Sequence, residues 1–216
     1  MTAPAIIWDW NGTLLNDLGL CVSSINTLLE KRKLPILNQE KYKEVFSFPV
    51  QDYYEAIGFD FTREAFEVPA LEFIDLYETG VENCTLQNGA LDVLRFFEEK
   101  ETRQFVLSAM HQEMLIKTLS YNGIFRFFEG VEGLGDHFAV SKVERGQQLI
   151  NQFNIDRKNT WIIGDTIHDF EVAQELEIRC ILIADGHHSK ERLKSTGALV
   201  LNNLFEIKNV EAFNIV

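Results

Sequence analysis

Cysteine is scarce in this chain of 216 residues: Cys21, Cys84 and Cys180 are widely spaced and odd in number. Such a set does not build a disulfide framework, and no two of the three have the spacing of a metal-binding pair. Reduced, mostly buried thiols in a cytoplasmic protein are the expectation. Positive charge is also short. Lys and Arg number 20 against 33 Asp and Glu, a formal net charge of −13. An acidic excess of this size repels nucleic-acid phosphates and anionic membrane surfaces, so neither is an expected partner. It leaves room for a small phosphorylated metabolite, because one lysine or a metal ion can dominate the local field. No apolar run approaches the roughly 18 residues of a membrane span. No basic stretch followed by an apolar one marks a secretory signal near the N-terminus. Internal repeats and low-complexity linkers are lacking as well. The expected assembly is a monomer or a weak homodimer.

What is present is the composition of a globular protein, 46% hydrophobic and 25% charged. Short apolar runs at Ala5–Trp8, Gln104–Leu107, Thr160–Ile163 and Arg179–Ile183 read as buried parallel strands. Helical spacing follows them: Leu91, Leu94 and Phe97; then Leu115 and Leu119; then Leu149, Ile150 and Phe153. This alternation predicts an α/β fold, an open, Rossmann-like parallel sheet with helices on both faces. The stretch from about residue 16 to 87 breaks the alternation. Leu18, Cys21, Val22, Ile25, Leu28 and Leu29 recur at helical spacing, and further helices are expected at Val50–Ile57 and Pro69–Tyr77. Pro35, Pro49 and Pro69 punctuate the block. The expected organisation is a core domain from residues 1–15 and 88–216, with a strand-free helical cap domain at 16–87 that moves on hinges at both junctions.

Ligands of open parallel sheets bind at the carboxyl ends of strands. After Ile6-Ile7-Trp8 comes Asp9-Trp10-Asn11-Gly12-Thr13, after Phe105-Val106-Leu107 comes Ser108, and after Trp161-Ile162-Ile163 comes Gly164-Asp165-Thr166-Ile167-His168-Asp169. Lys142 precedes a helix expected from about Val143. Carboxylates that converge repel one another unless a cation lies between them. Magnesium takes oxygen ligands and keeps several waters, so Asp9 and Asp165 suit it. A nearby Lys142 and Ser108 complete a phosphate-handling set: the lysine neutralises the phosphoryl group and Ser108 donates to its oxygen, with backbone N–H groups of a following helix adding more. Asp9 then serves as a covalent nucleophile through an aspartyl-phosphate. Gly12 permits a tight turn and Thr13 ties it. Asp169 is expected to orient Lys142 or a metal-bound water.

These motifs resemble, in order and at the expected strand ends, those of the haloacid dehalogenase-like hydrolase superfamily: Asp-x-Asp-Gly-Thr, a strand-end Ser or Thr, a helix-opening Lys, and Gly-Asp-x-x-x-Asp. They span residues 9–169, and the helical block falls where members with a helical cap carry it. The likeness is to the phosphoglycolate phosphatase-like branch. It implies a magnesium-dependent phosphatase acting on a small phosphomonoester, with Asp9 as nucleophile, Ser108 and Lys142 on the phosphate, and Asp9, Asp165 and the Asn11 carbonyl on the metal. Position 11 departs from the pattern. The family places there an Asp that protonates the leaving group and activates water; Asn11 cannot exchange a proton. Loss of a general acid–base costs about 10²–10⁴-fold. Two alternatives therefore stand beside the phosphatase: a phosphotransferase or mutase, and a catalytically weak domain that binds phosphorylated ligands. On this reading Asn11→Asp should raise turnover. His168 is read as a first-turn helix residue facing a loop, and His187 and His188 as lining the site or forming a polar loop.

Overall fold

The computed structural model describes residues 4–135 and 141–214. Eight strands occur among them: β1 (Ala5–Trp8), β2 (Leu15–Asn16), β3 (Thr85–Leu86), β4 (Arg103–His111), β5 (Gly130–Leu134), β6 (Thr160–Gly164), β7 (Arg179–Ile183) and β8 (Leu199–Leu201). Six of them form one sheet in the order β5-β4-β1-β6-β7-β8, and every pairing in it is parallel. Ile7 lies between Phe105 and Ile162 in register. Side chains alternate between the faces of a strand. Ile6 and Trp8 therefore meet α5 (Ala90–Glu99) and α6 (Gln112–Tyr121) through Val93, Leu94, Phe97, Leu115 and Leu119. Ala5 and Ile7 meet α7 (Lys142–Gln152) and α8 (Ile167–Glu175) through Leu149, Ile150, Val172 and Ala173. Helices on both faces explain why these strands are apolar throughout. The chain turns to opposite sides of β1 when it forms β4 and β6, which opens a crevice at the carboxyl ends of these three strands.

Between β2 and β3 run α1 (Leu18–Lys31), α2 (Gln39–Val45), α3 (Val50–Ala56) and α4 (Glu67–Val81). They hold an apolar cluster of their own: Leu18, Val22, Ile25, Leu28 and Leu29 of α1 pack on Tyr42, Tyr53, Tyr54, Ile57 and Phe59. The expectation of a strand-free block from 16 to 87 needs correction at its ends. Leu15 pairs with Leu86 and Asn16 with Thr85, antiparallel, so the two junctions form one short ribbon. Two residues per strand leave no periodicity to read. The three cysteines are free, with Cys21 buried and Cys84 and Cys180 partly so. No helix among the described residues is long and apolar enough to cross a membrane.

Candidate active site

The carboxyl end of β1 releases Asp9 into the crevice, where it is buried with Ser108, Lys142, Asp165 and Asp169. Lys142 is the first residue of α7, whose first turn is fixed by reciprocal bonds between Ser141 and Glu144. That cap aims the lysine inward. Its Nζ donates to Asp9 Oδ1 at 2.5 Å and to Asp169 Oδ1 at 2.6 Å. Asp169 Oδ2 accepts from the N–H groups of Asp165 at 3.2 Å and Thr166 at 3.0 Å, and from Thr166 Oγ1 at 2.7 Å. It thus orients Lys142 and closes the first turn of α8 with one carboxylate. Thr13 Oγ1 bridges Asp165 Oδ1 at 2.8 Å and Asp9 Oδ2 at 3.2 Å. Close approach requires two glycines. A Cβ on Gly12, whose φ is +75°, would lie 2.3 Å from Asp165 Oδ2, and one on Gly186 would lie 2.1 Å from the same atom.

Ser108 lies beside Asn11, but not at a strand end as expected, because β4 continues to His111. Helix α6 starts at Gln112, so Ser108 does not cap it; its hydroxyl donates to Asn11 Oδ1 at 3.2 Å and accepts from the Met110 N–H at 3.0 Å. Of the expected site residues, Asp9, Thr13, Lys142, Asp165 and Asp169 are thus linked directly, while Ser108 and Asn11 form a pair that joins them only through Asp17 and His187.

Sequence reading missed Asp17. It precedes α1 and reads as a helix cap, yet its side chain caps nothing. Its Oδ1 accepts from the Gly12 N–H at 2.9 Å and His187 Nε2 at 3.1 Å; its Oδ2 accepts from Asn11 Nδ2 at 2.8 Å and the Tyr77 hydroxyl at 2.7 Å. Gln87 was missed too, and holds the Gly12 carbonyl through Nε2 at 3.0 Å. Among the histidines, His187 is buried in the site and its N–H donates to Asp165 Oδ2 at 2.6 Å. His188 accepts from the Ile167 N–H at the start of α8 at 3.0 Å. His168 stacks obliquely on Phe48, in the loop between α2 and α3, with ring centroids 4.7 Å apart.

Burial pushes Asp9 well above the usual carboxylate range; Lys142 pulls against this, while Asp169 and Asp165 add to it. Burial also pushes Asp165 up to about 6, against the pull of His187. Asp169 and Asp17 go the other way: burial would raise both, but Lys142 holds the first below the usual range and His187 the second. Burial opposes charge on His187, yet Asp17 raises it to about 9, so the ring is cationic at neutral pH. Burial lowers His188 to about 3 and keeps it neutral.

These residues fit a divalent cation. Ligand oxygens of Asp9, Asp165 and Asp169 lie within 4.8 Å of one another, all buried. Four buried carboxylates, those of Asp9, Asp17, Asp165 and Asp169, face two buried cations, Lys142 and His187, which leaves a formal charge of −2 when all are ionised. Asp9 shares its one cation with Asp169, and Asp165 accepts only from Thr13 and the His187 N–H, so these two are the carboxylates whose burial is least offset. A hard oxygen-seeking ion satisfies that excess.

The profile of the haloacid dehalogenase-like hydrolases matches residues 6–183. Similar solved structures extend over almost the whole chain. A haloacid dehalogenase-like family hydrolase from Streptococcus pneumoniae is 16% identical, with a TM-score of 0.82 over 96% of this chain and 97% of its own. A protein described as a predicted phosphatase from Clostridium acetobutylicum is 19% identical, with a TM-score of 0.83 over 98% and 100%. One described as a predicted phosphoglycolate phosphatase from Haemophilus somnus is 17% identical, with a TM-score of 0.77 over 98% and 99%. No curated protein matches the sequence. At such identities the likeness speaks for the fold, while the family profile covers every motif at the crevice, from Asp9 through Asp169: the chain belongs to the haloacid dehalogenase-like hydrolases.

Proposed function

We propose that this protein is a magnesium-dependent phosphatase that hydrolyses a small phosphorylated metabolite through an aspartyl-phosphate on Asp9. The observation that carries the reading is Lys142 between Asp9 and Asp169, buried at the strand ends beside Asp165. Asp9, Asp165 and the Asn11 carbonyl would hold Mg²⁺, which supplies charge neutralisation for the phosphoryl oxygens. Lys142 keeps Asp9 oriented and adds positive charge where the transferring group sits. Asp169 fixes the lysine, and the Ser108 hydroxyl would turn from Asn11 Oδ1 to donate to a phosphate oxygen. Asp9 attacks phosphorus, and the bond to the leaving oxygen breaks with its electron pair. Water then attacks the same phosphorus, its protons remaining on inorganic phosphate, and the Asp9 carboxylate is regenerated. The four helices between β2 and β3 act as a cap that excludes water during transfer.

The direct test is phosphate release from a panel of phosphorylated metabolites with Mg²⁺ and with excess chelator. Release should require Mg²⁺, and Asp9→Asn should abolish both release and acid-stable labelling of the protein by phosphate, since an amide is a poor nucleophile. Persistent labelling of that variant would reject Asp9. Asn11 favours a second reading, a domain that binds phosphorylated ligands without turnover. Tight Mg²⁺-dependent phosphate binding with no release from any substrate would select it.

A further inference from the structure

The side chain at position 11 has no proton left to donate to a leaving group. Both protons of Asn11 Nδ2 are committed, one to Asp17 Oδ2 at 2.8 Å and one to the Tyr77 hydroxyl at 2.7 Å. Its Oδ1 accepts the Ser108 hydroxyl at 3.2 Å. The protons around it are committed as well: Ser108 gives its own to Asn11, and Tyr77 gives its own to Asp17 Oδ2 at 2.7 Å. Asp17 has no proton to give. All five of its contacts, from Gly12, His187, Asn11, Tyr77 and, at 3.8 Å, the Cys21 thiol, are donors, so the buried carboxylate is acceptor only.

The same arrangement dictates what can stand at position 11. A carboxylate there would replace a donor with an acceptor and set a like charge about 3 Å from Asp17, where a buried pair cannot both ionise freely. As long as Asp17 is a carboxylate, position 11 must be a donor, which an amide is at every pH and a carboxyl only while it holds a proton that Asp17 would then engage. Asn11→Asp alone should therefore bring no gain, because any proton it holds would be engaged by Asp17. Exchanging the two side chains is different: the amide at 17 would still accept from Gly12 and His187 through its oxygen and donate to the new carboxylate through its nitrogen.

We propose that Asp17 is a positioning residue that fixes position 11 as an amide, and that the enzyme consequently acts on phosphates whose leaving oxygen departs without a proton, namely aryl, enol or acyl phosphates in preference to alkyl esters. When Asp9 forms its bond to phosphorus, the electron pair of the breaking bond stays on a phenolate, enolate or carboxylate, which is stable in water. An alkoxide is not, and its departure needs an acid; residue 11 and its partners offer none, and both ring nitrogens of His187 are engaged, by Asp17 and by the Tyr42 hydroxyl. The substrate class rests on the phosphatase reading; the pairing of residues 11 and 17 does not.

The test has two arms. In the first, kcat/KM is measured against leaving-group acidity over a series of phosphates of similar size. Wild type should disfavour alkyl leaving groups by about 10²–10⁴-fold relative to phenols, the range that a general acid would recover. Asn11→Asp/Asp17→Asn should narrow that gap by about tenfold or more, which a merely structural role for Asp17 would not do. Equal rates for alkyl and aryl phosphates in wild type would overturn the substrate class. In the second arm, thermal unfolding is followed for wild type, both single variants and the double variant. Asn11→Asp should lower the midpoint by about 5 °C or more, and adding Asp17→Asn should return at least half of that loss. Additive effects would overturn the pairing. If Asn11→Asp does not fold, recovery of folded protein on adding Asp17→Asn supports the pairing; if neither folds, the wild-type leaving-group series still decides the substrate class. No release from any phosphate by any of the four proteins would remove the phosphatase reading and the substrate class with it, while the unfolding cycle would still decide the pairing.

Discussion

A single carboxylate in this site has its protonation set by which neighbours reach it. Asp169 and Asp17 each lie against a buried cation and stay ionised. Asp165 has Thr13 and a backbone N–H as donors, and burial raises it to about 6. A metal ion binds the ionised form and must displace any proton held there. Magnesium affinity should therefore be nearly constant at pH well above 6 and weaken at lower pH by about tenfold per unit for each displaced proton. Because Asp9 is also raised, the slope should exceed that of one group. Calorimetry in two buffers of different ionisation heat would read the released protons directly. Zero release at pH 6 would mean that both carboxylates are already ionised there, contrary to the burial argument.

Among elements, legibility in the sequence follows burial. The four apolar runs recognised as strands are β4, β1, β6 and β7, the interior of the sheet, covered on both faces. The two missed, β5 and β8, are its edges. Gly130-Val131-Glu132-Gly133-Leu134 is largely half-buried and carries no apolar run, and β8 has three residues. Helix α2 escaped because one residue of its seven, Tyr42, is buried, which is too little to mark a face. Of the site, the residues that follow apolar runs were readable, since strand ends announce themselves. Asp17, Tyr77 and Gln87 were not, because their partners lie up to 170 positions away and only the fold brings them together. The small α2 matters beyond its size. Arg192 Nη1 donates to the carbonyls of Lys43 and Phe46, both at 2.7 Å, and the Tyr42 hydroxyl meets His187 Nδ1 at 3.2 Å. A cation at a helix C-terminus is favourable, and these bonds tie the helical block to the loop that carries His187. Arg192→Ala should speed amide exchange across residues 42–50, and should raise KM several-fold with little change in kcat. Unaltered exchange in that segment would show that Arg192 does not anchor it.

At the scale of the whole molecule, the acidic excess also acts on the proposed substrate. The formal charge of −13 surrounds a site whose local cations, Lys142 and His187, are buried. An approaching phosphate dianion meets the global field first and the local one last. Mobile salt screens the first over roughly 8–10 Å at physiological ionic strength but reaches buried pairs poorly. Salt should thus have opposite effects on the two ligands. Between about 10 and 150 mM inert salt, kcat/KM for a dianionic phosphate at saturating Mg²⁺ should rise, by about twofold or more, because screening weakens the repulsion. Over the same range the affinity for Mg²⁺ should fall, because the same field attracts the cation. Steady-state kinetics and metal titration at matched ionic strengths would separate the two trends. If both fell together, the cationic pocket would already dominate the field at a distance, and the acidic surface would have no part in admitting substrate.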